Sequence, residues 1–283
     1  MCSLIILKEG KEIARYNRIE NIRLNQYSVS KSFVSTAVGM AVDDNKLSLD
    51  ECIFDYFKDD MPENPRKKWS YVTVRNLLTM SLGLDRAILH GELRYRQKNI
   101  DWPKHIFRHK FSKAPGSRFV YNNEGSYLAG LIVERIYGCN LVEFLMPRLF
   151  EPLGIYLPTW ERDPMGSIFG SSGLMLTTEE IAKFAQLYLQ GGIWKSNRLI
   201  SNSWVDMVSK CQIETGEDNN PWRSKYSFFF WLGPGNSFRA DGKYGQYAIV
   251  FPDKDCVVAI NSFYDEDNDE ILNSLWRYIY PKI

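Results

Sequence analysis

Histidine is scarce in this chain: His90, His105 and His109 are the only three in 283 residues. No G-x-S-x-G elbow, G-x-G-x-x-G turn or Walker loop occurs either. These gaps argue against an α/β-hydrolase, a dinucleotide enzyme and a P-loop NTPase. Cysteine is sparse and odd in number: Cys2, Cys52, Cys139, Cys211 and Cys256 are scattered, with no C-x-x-C. That pattern excludes a disulfide scaffold or zinc ribbon and reads as reduced thiols in a reducing compartment. Charge of one sign is lacking too, since 35 basic minus 34 acidic residues leaves +1, so a global attraction to nucleic acid or anionic membrane is not expected. No apolar run approaches a membrane span. The opening "MCSLIILKEG" has four consecutive apolar residues and no basic stretch before them, unlike a secretory signal. A cytoplasmic protein with no cofactor, no metal, no nucleic acid and no membrane partner is expected; oligomeric state is left open.

What is present is an ordinary globular composition, 45% hydrophobic and 14% aromatic, in a chain long enough for one large domain or two closely packed lobes. "SLIILKEGKEIARY" reads as a hairpin turning at residues 8–11. Residues 30–45 carry apolar positions 33, 34, 37, 38, 41 and 42, a helical spacing. A charged, proline-containing crossing, "KDDMPENPRKKW", marks a lobe boundary. The middle reads as helices: "TVRNLLTMSLGL", "EGSYLAGLIVERIYG", "LVEFLMPRLFEPLGI" and "TTEEIAKFAQLYLQGG". Strands return in "YSFFFWLG", "YGQYAIVFP" and "CVVAINSFY", before a last aromatic helix, "NDEILNSLWRYIY". Two early strands and three late ones predict an α+β fold with a five-stranded antiparallel sheet. The sheet lobe is expected over 1–58 and 175–283, with a mostly helical lobe inserted at 59–174.

Three stretches carry chemistry. "QYSVSKSF" holds the chain's one Ser-x-x-Lys, Ser28 and Lys31. If a helix begins just after Ser28, positions three apart share a face, and the ammonium reaches back to the hydroxyl. Unpaired helix amides there favour developing negative charge. Buried without an acid partner, Lys31 would have a lowered pKa and act as a base without any histidine. "PGSRFVYNNEGSYLAG" holds the one Tyr-x-Asn, Tyr121 and Asn123: a phenol to relay a proton, an amide to hold a substrate carbonyl and Lys31. "FRADGKYGQYAIVFPDKDCVVAI" runs a glycine-dense turn into a strand, where backbone can approach a ligand closely. The Lys243 amide opposite the Ser28 amide would form a two-donor oxyanion hole. Each stretch alone is equally consistent with a surface pair, an N-cap and a plain hairpin.

Together, in this order and spacing, Ser28-Val-Ser-Lys31, Tyr121-Asn-Asn123 and the Gly242–Gln246 turn resemble the serine β-lactamase and penicillin-binding-protein-like superfamily. "VTVRNLLTMSLGL", "FEPLGI" and "SSGLMLTTEEIAKFAQLYLQGG" extend the resemblance over nearly the whole chain. It is most similar to the class C-related branch of esterases, D-aminopeptidases and aminohexanoate-dimer hydrolases. The resemblance implies a β-lactamase-like fold and a metal-free serine hydrolase acting on a small ester, amide or short peptide through an acyl-enzyme. Ser28 would be the nucleophile, Lys31 and Tyr121 the general base and acid, with Asn123, Gly242 and Lys243 in support. A penicillin-binding sensor or D-Ala-D-Ala-type peptidase is the alternative. One departure stands out. The family's Lys-Thr-Gly falls on Ala240-Asp241-Gly242, without the basic residue that pairs with a β-lactam carboxylate.

Two further signals carry less. His105 and His109 are spaced like a zinc helix, but no glutamate follows the first and no third ligand is evident, so a partly exposed helix face is expected. Residues 94–118 hold eight Lys or Arg against one Asp, which reads as a solvated rim. In related folds this segment borders the cleft, which implies a preference for acidic substrates.

Overall fold

β1 (Ser3–Lys8) and β2 (Lys11–Asn17) form the expected hairpin. Glu9 and Gly10 both take positive φ, 49° and 72°, the two-residue turn whose twist suits paired strands. The computed structural model describes residues 1–97, 100–217, 219–267 and 269–283, apart from the side chains of 92 and 93. From the far end of the chain come β3 (Phe238–Gly242), β4 (Gln246–Phe251) and β5 (Cys256–Asn261). The long strands lie in the order β2-β1-β5-β4-β3, all antiparallel, and the two-residue strands 231–232, 225–226 and 213–214 continue the sheet to eight.

The α+β antiparallel fold holds, but the strand count of five does not, and one of the five was misplaced. "YSFFFWLG" is not a continuous strand. Ser227 N–H donates to the Phe230 carbonyl, and Phe229 has φ +60°, so the run folds on itself between two short strands. Phe228, Phe229 and Phe230 are all buried. This is a turn packed into the core, where burial selects apolar side chains and the usual Gly or Pro signal is absent. Its place in the sheet is taken by β3, which sequence reading assigned to a turn.

β4 shows how the sheet is covered. Tyr247, Ile249 and Phe251 face one way, against Leu272 and Leu275 of the C-terminal helix α4 (Asp269–Tyr278). Ala248 and Val250 face the other way, into the main core with Ile181 and Phe184 of α3 (Thr178–Leu189). That alternation is the period-two geometry of a strand covered on both faces. α3 starts on a capping box in which Thr177 and Glu180 satisfy each other's amides, worth about 1 kcal/mol.

Between residues 59 and 174 the described chain carries short helices at 74–78, 91–95, 102–107 and 141–145. The longer α2 (Glu124–Tyr137) ends at Gly138 with φ +66°, as helices commonly do. α1 (Ser30–Asp43) packs along α2, and one apolar core runs from Ile5 through Val34, Val38, Leu128 and Ile132 to Ala259. Among the described residues no helix is long and apolar enough to cross a membrane.

Candidate functional site

The chain enters α1 through a single 3-10 turn, Tyr27–Val29, so Ser28 sits one turn ahead of Lys31. The anchor beneath is Gln26, fully buried, whose side-chain amide donates to the carbonyls of Leu24 and Leu176. Lys31 is 1% exposed. Its Nζ donates to Ser28 Oγ at 2.8 Å and to the Ser171 carbonyl at 2.9 Å. Burial lowers its pKa to about 7, with Glu124 pulling it up and Arg94 pushing it down. The amine can therefore be uncharged near neutrality while hydrogen-bonded to the hydroxyl, which a general base requires.

Tyr121 completes the cluster. Lys31 Nζ lies 5.1 Å from the centre of its ring, and its phenol is within hydrogen-bonding reach of Ser28. Desolvation raises the phenol's pKa well above the ordinary value, and Ser28 opposes that shift. Behind the ring, Trp231 stacks on Tyr121 at 5.9 Å and 18° between planes, and the Arg223 guanidinium lies 5.0 Å over Trp231. Two rings are thus held between two nitrogen groups. Arg223 is fixed in turn by Asp241 at 3.4 Å and Asp269 at 3.0 Å.

Ser28 opens onto a cleft of about 410 Å³, also lined by Asn25, Tyr27, Asn123, Ser171 and Lys243. Larger hollows elsewhere lack such a nucleophile, and volume alone does not mark the site. Asn123 stands just ahead of α2 on this cleft without a side-chain capping bond; its amide nitrogen donates instead to the Leu89 carbonyl at 2.6 Å. The sequence reading expected that amide on Lys31. Beside it, buried Glu124 accepts the amides of Ile88 and Leu89. Together they clamp the segment that presents His90, Gly91 and Arg94 to the cleft.

Gly242 does not line the cleft. It is the last residue of β3, and a Cβ there would meet the Gln26 carbonyl at 2.4 Å. Glycine is needed so that β3 can press against the backbone two residues ahead of Ser28. Lys243 does line the cleft, at a turn closed by Tyr244 at φ +67° and Gly245 at φ +82°.

Sequence reasoning missed Ser171, Glu124, Trp231 and Arg223 as site residues. Ser171 lies inside the quoted "SSGLMLTT" block, so order along the chain could have flagged it. Its Oγ donates to the Asn123 carbonyl at 2.7 Å, tying two walls together. Arg223 had no such signal. It arrives from the segment before strand 225–226 and brings a cation to Asp241, beside the position where Ala240 replaces the expected lysine.

The His105 and His109 rings approach to 3.4 Å between Nε2 atoms, and no group of three or more metal-ligating side chains occurs among the described residues. All five cysteines are unpaired.

Comparison with known proteins shows what the chain resembles. A 6-aminohexanoate-dimer hydrolase of Paenarthrobacter ureafaciens is 23% identical over 73% of this chain and 56% of its own length. A lovastatin esterase of Penicillium rubens is 34% identical over 34% of this chain and 25% of its own length. The chain therefore spans little more than half of the one curated relative and a quarter of the other. A solved Bacillus anthracis structure, provisionally described as a 6-aminohexanoate-dimer hydrolase, superposes with a TM-score of 0.82 at 19% identity. It covers 99% of this chain and 78% of that one. The model of the family described as Beta-lactamase matches residues 20–278, which takes in every residue of the Ser28 cluster. The chain belongs to the beta-lactamase family.

Proposed function

We propose that this protein is a serine hydrolase that cleaves a small ester or amide through an acyl-enzyme on Ser28. The observation that carries the reading is the Lys31–Ser28 hydrogen bond of 2.8 Å, made by a buried amine whose pKa is near 7. Ser28 Oγ attacks the substrate carbonyl carbon while Lys31 Nζ takes the hydroxyl proton. The carbonyl oxygen gains the negative charge, which the backbone amides of Ser28 and Lys243 stabilise. Such a donor is typically worth about 3 kcal/mol in the transition state. As the tetrahedral centre collapses, the proton passes by way of Tyr121 to the departing alkoxide or amine. Water then attacks the acyl-enzyme, gives a proton back to the Lys31–Tyr121 pair, and releases the acid; Ser28 recovers its proton. Gly242 supports this arrangement by letting β3 close on Gln26, and Asn123 by holding the cleft wall against which the substrate lies.

The inserted lobe, residues 59–174, supplies Tyr121 and the clamped segment, and the sheet lobe supplies Ser28, Lys31 and Lys243. A reducing, cytoplasmic setting is part of the proposal, and the five unpaired cysteines support it. The names of two curated relatives, a 6-aminohexanoate-dimer hydrolase and a lovastatin esterase, support the hydrolase reading. A penicillin-acylated sensor or D-Ala-D-Ala peptidase fits less well, because Ala240 stands where a carboxylate-pairing base would.

Intact mass after mixing with a p-nitrophenyl ester, a penicillin and a fluorophosphonate tests the proposal. Rapid turnover of the ester, with fluorophosphonate addition at Ser28, is the expected result. A long-lived penicilloyl adduct without ester turnover would replace it by the sensor reading, and no labelling of Ser28 by any reagent would end it.

A further inference from the structure

Two tyrosines adjoin the residues that react, and neither has the backbone its side chain favours. Tyr27 stands immediately before Ser28 with φ +45°, and Tyr244 immediately after Lys243 with φ +67°. A positive φ is uncommon for any residue but glycine and a clear outlier for a bulky one. Tyr244 and Gly245, at +67° and +82°, make two consecutive positive φ angles, a pattern for which Asn-Gly is the favoured pair. Glycine or asparagine would hold either conformation at less cost. The path of the chain therefore does not explain the rings.

Both backbones are held by bonds that do not involve the phenols. Asn25 Oδ1 accepts the Tyr27 amide at 2.8 Å and the Gly173 amide at 3.1 Å, and the Tyr264 amide donates to the Tyr244 carbonyl at 3.1 Å. The rings themselves meet with centres 5.1 Å apart and planes at 73°. Each is half-buried, each lines the cleft with Ser28, and neither belongs to the two apolar cores. Core packing therefore does not explain them either. Two rings set nearly at right angles form a corner. A flat ring entering it lies face to face with one and edge-on to the other, the two arrangements that aromatic quadrupoles favour. Tyr95 brings a third ring to the same cleft.

We infer that Tyr27 and Tyr244 form an aromatic specificity site, and that the substrate is an ester or amide carrying a planar aromatic ring beside the bond that Ser28 attacks. The inference rests on the acyl-transfer reading above and names a substrate class for it. The left-handed backbone is then the means of aiming the rings, because a negative φ at either position would send its Cβ in another direction. Strain kept at a ligand-binding position in this way is part of how the site is built.

Matched pairs that differ in aromaticity but little in reactivity test it, with acid release followed by pH-stat titration. Ethyl phenylacetate against ethyl cyclohexylacetate probes the acyl side, and benzyl acetate against cyclohexylmethyl acetate probes the leaving side. In at least one pair the aromatic member is expected to be favoured roughly two- to tenfold in kcat/KM, the size of one aromatic pairing. Tyr27→Asn and Tyr244→Asn, which suit a left-handed backbone, should each bring the ratio close to one. Tyr27→Phe keeps the ring and should keep the preference. Equal handling, or no turnover, of both members of both pairs by the wild type, with Ser28 still labelled by fluorophosphonate, would remove the aromatic site and leave the hydrolase. A preference that survives both Asn substitutions would do the same, and a fall in thermal stability alongside it would make the two rings a brace. Absence of any turnover together with absence of Ser28 labelling would remove the hydrolase reading and this inference with it. Should one Asn variant fail to fold by circular dichroism, the other variant and the wild-type ratio decide.

Discussion

Lys31 is a side chain placed where its charged form is penalised, and the consequences can be measured apart from any substrate. Its amine is uncharged above about 7, so kcat/KM should rise through that pH as the base becomes available and then level off. The phenol of Tyr121 is pushed above its ordinary range, so no second fall is expected until well into alkali. A profile that declines across pH 7 would contradict the base assignment. Stability carries the same signature with a definite sign. Between about 7 and the ordinary lysine value of 10.5, the unfolded chain holds the proton and the folded one does not. Wild-type stability from this group therefore increases with pH across that window. Lys31→Met, which lacks the titration, should be inactive yet more stable than wild type near pH 7, with the gap closing towards pH 10. Urea unfolding at several pH values checks it; a gap independent of pH would mean that Lys31 titrates normally. Ser28→Ala should lose essentially all turnover while keeping its fold, because a half-exposed hydroxyl contributes little packing. Turnover retained in that variant would exclude Ser28 as nucleophile.

Elements bring these residues together by close backbone approach, and β3 is the clearest case. With Gly242 lying against the Gln26 carbonyl, Gly242→Ala must push β3 and the Ser28 turn apart. A cost of about 1–3 kcal/mol is expected for such overpacking, with a larger loss of kcat than of KM if the displaced amide of residue 243 serves the oxyanion as proposed. Thermal unfolding and steady-state kinetics measure the two separately; unchanged kcat would mean the turn has no catalytic role. The same strand shows what the sequence could and could not reveal. Helices α1, α2 and α3 were legible because apolar spacing, a closing glycine at 138 and a threonine cap at 177 or 178 are local signals, and the structure puts the cap at Thr177. β1 and β2 were legible because Gly10 marks their turn. β3 was not: "FRADG" alternates weakly, since Arg239 and Asp241 are a buried pair inside the sheet. Nor was the buried turn at 227–230, whose composition is set by the core around it. Ser28, Lys31 and Tyr121 were legible through motif order, whereas Arg223, Trp231 and Glu124 act through contacts that only folding creates.

Across the whole molecule those fold-made contacts converge on one layered stack: Lys31, the Tyr121 ring, the Trp231 indole and the Arg223 guanidinium. Its last layer is bound to Asp241 on β3 and Asp269 at the start of α4. The C-terminal helix thereby bears on a tyrosine contributed by the segment just ahead of α2. A buried cation in such a position serves orientation as well as charge, for Trp231 is the ring that lies nearly parallel to Tyr121, while Phe119 and Tyr226 meet it at steeper angles of 51° and 85°. Replacing Arg223 with Met keeps much of the apolar contact with Trp231 but strips two carboxylates of a partner. Removing one member of a buried ionic group commonly costs about 3–5 kcal/mol; because Asp241 retains Arg239 at 3.0 Å, the lower end is expected. In the folded variant, fluorophosphonate should still label Ser28, since nucleophile and base are untouched. Ester turnover should fall, by at most the roughly 10²–10⁴-fold that a positioned acid–base group contributes. If labelling and turnover fell together, Arg223 would be acting on the Ser28–Lys31 pair itself. If turnover kept its wild-type value despite lost stability, the stack would be a structural brace and Tyr121 would need no support from α4.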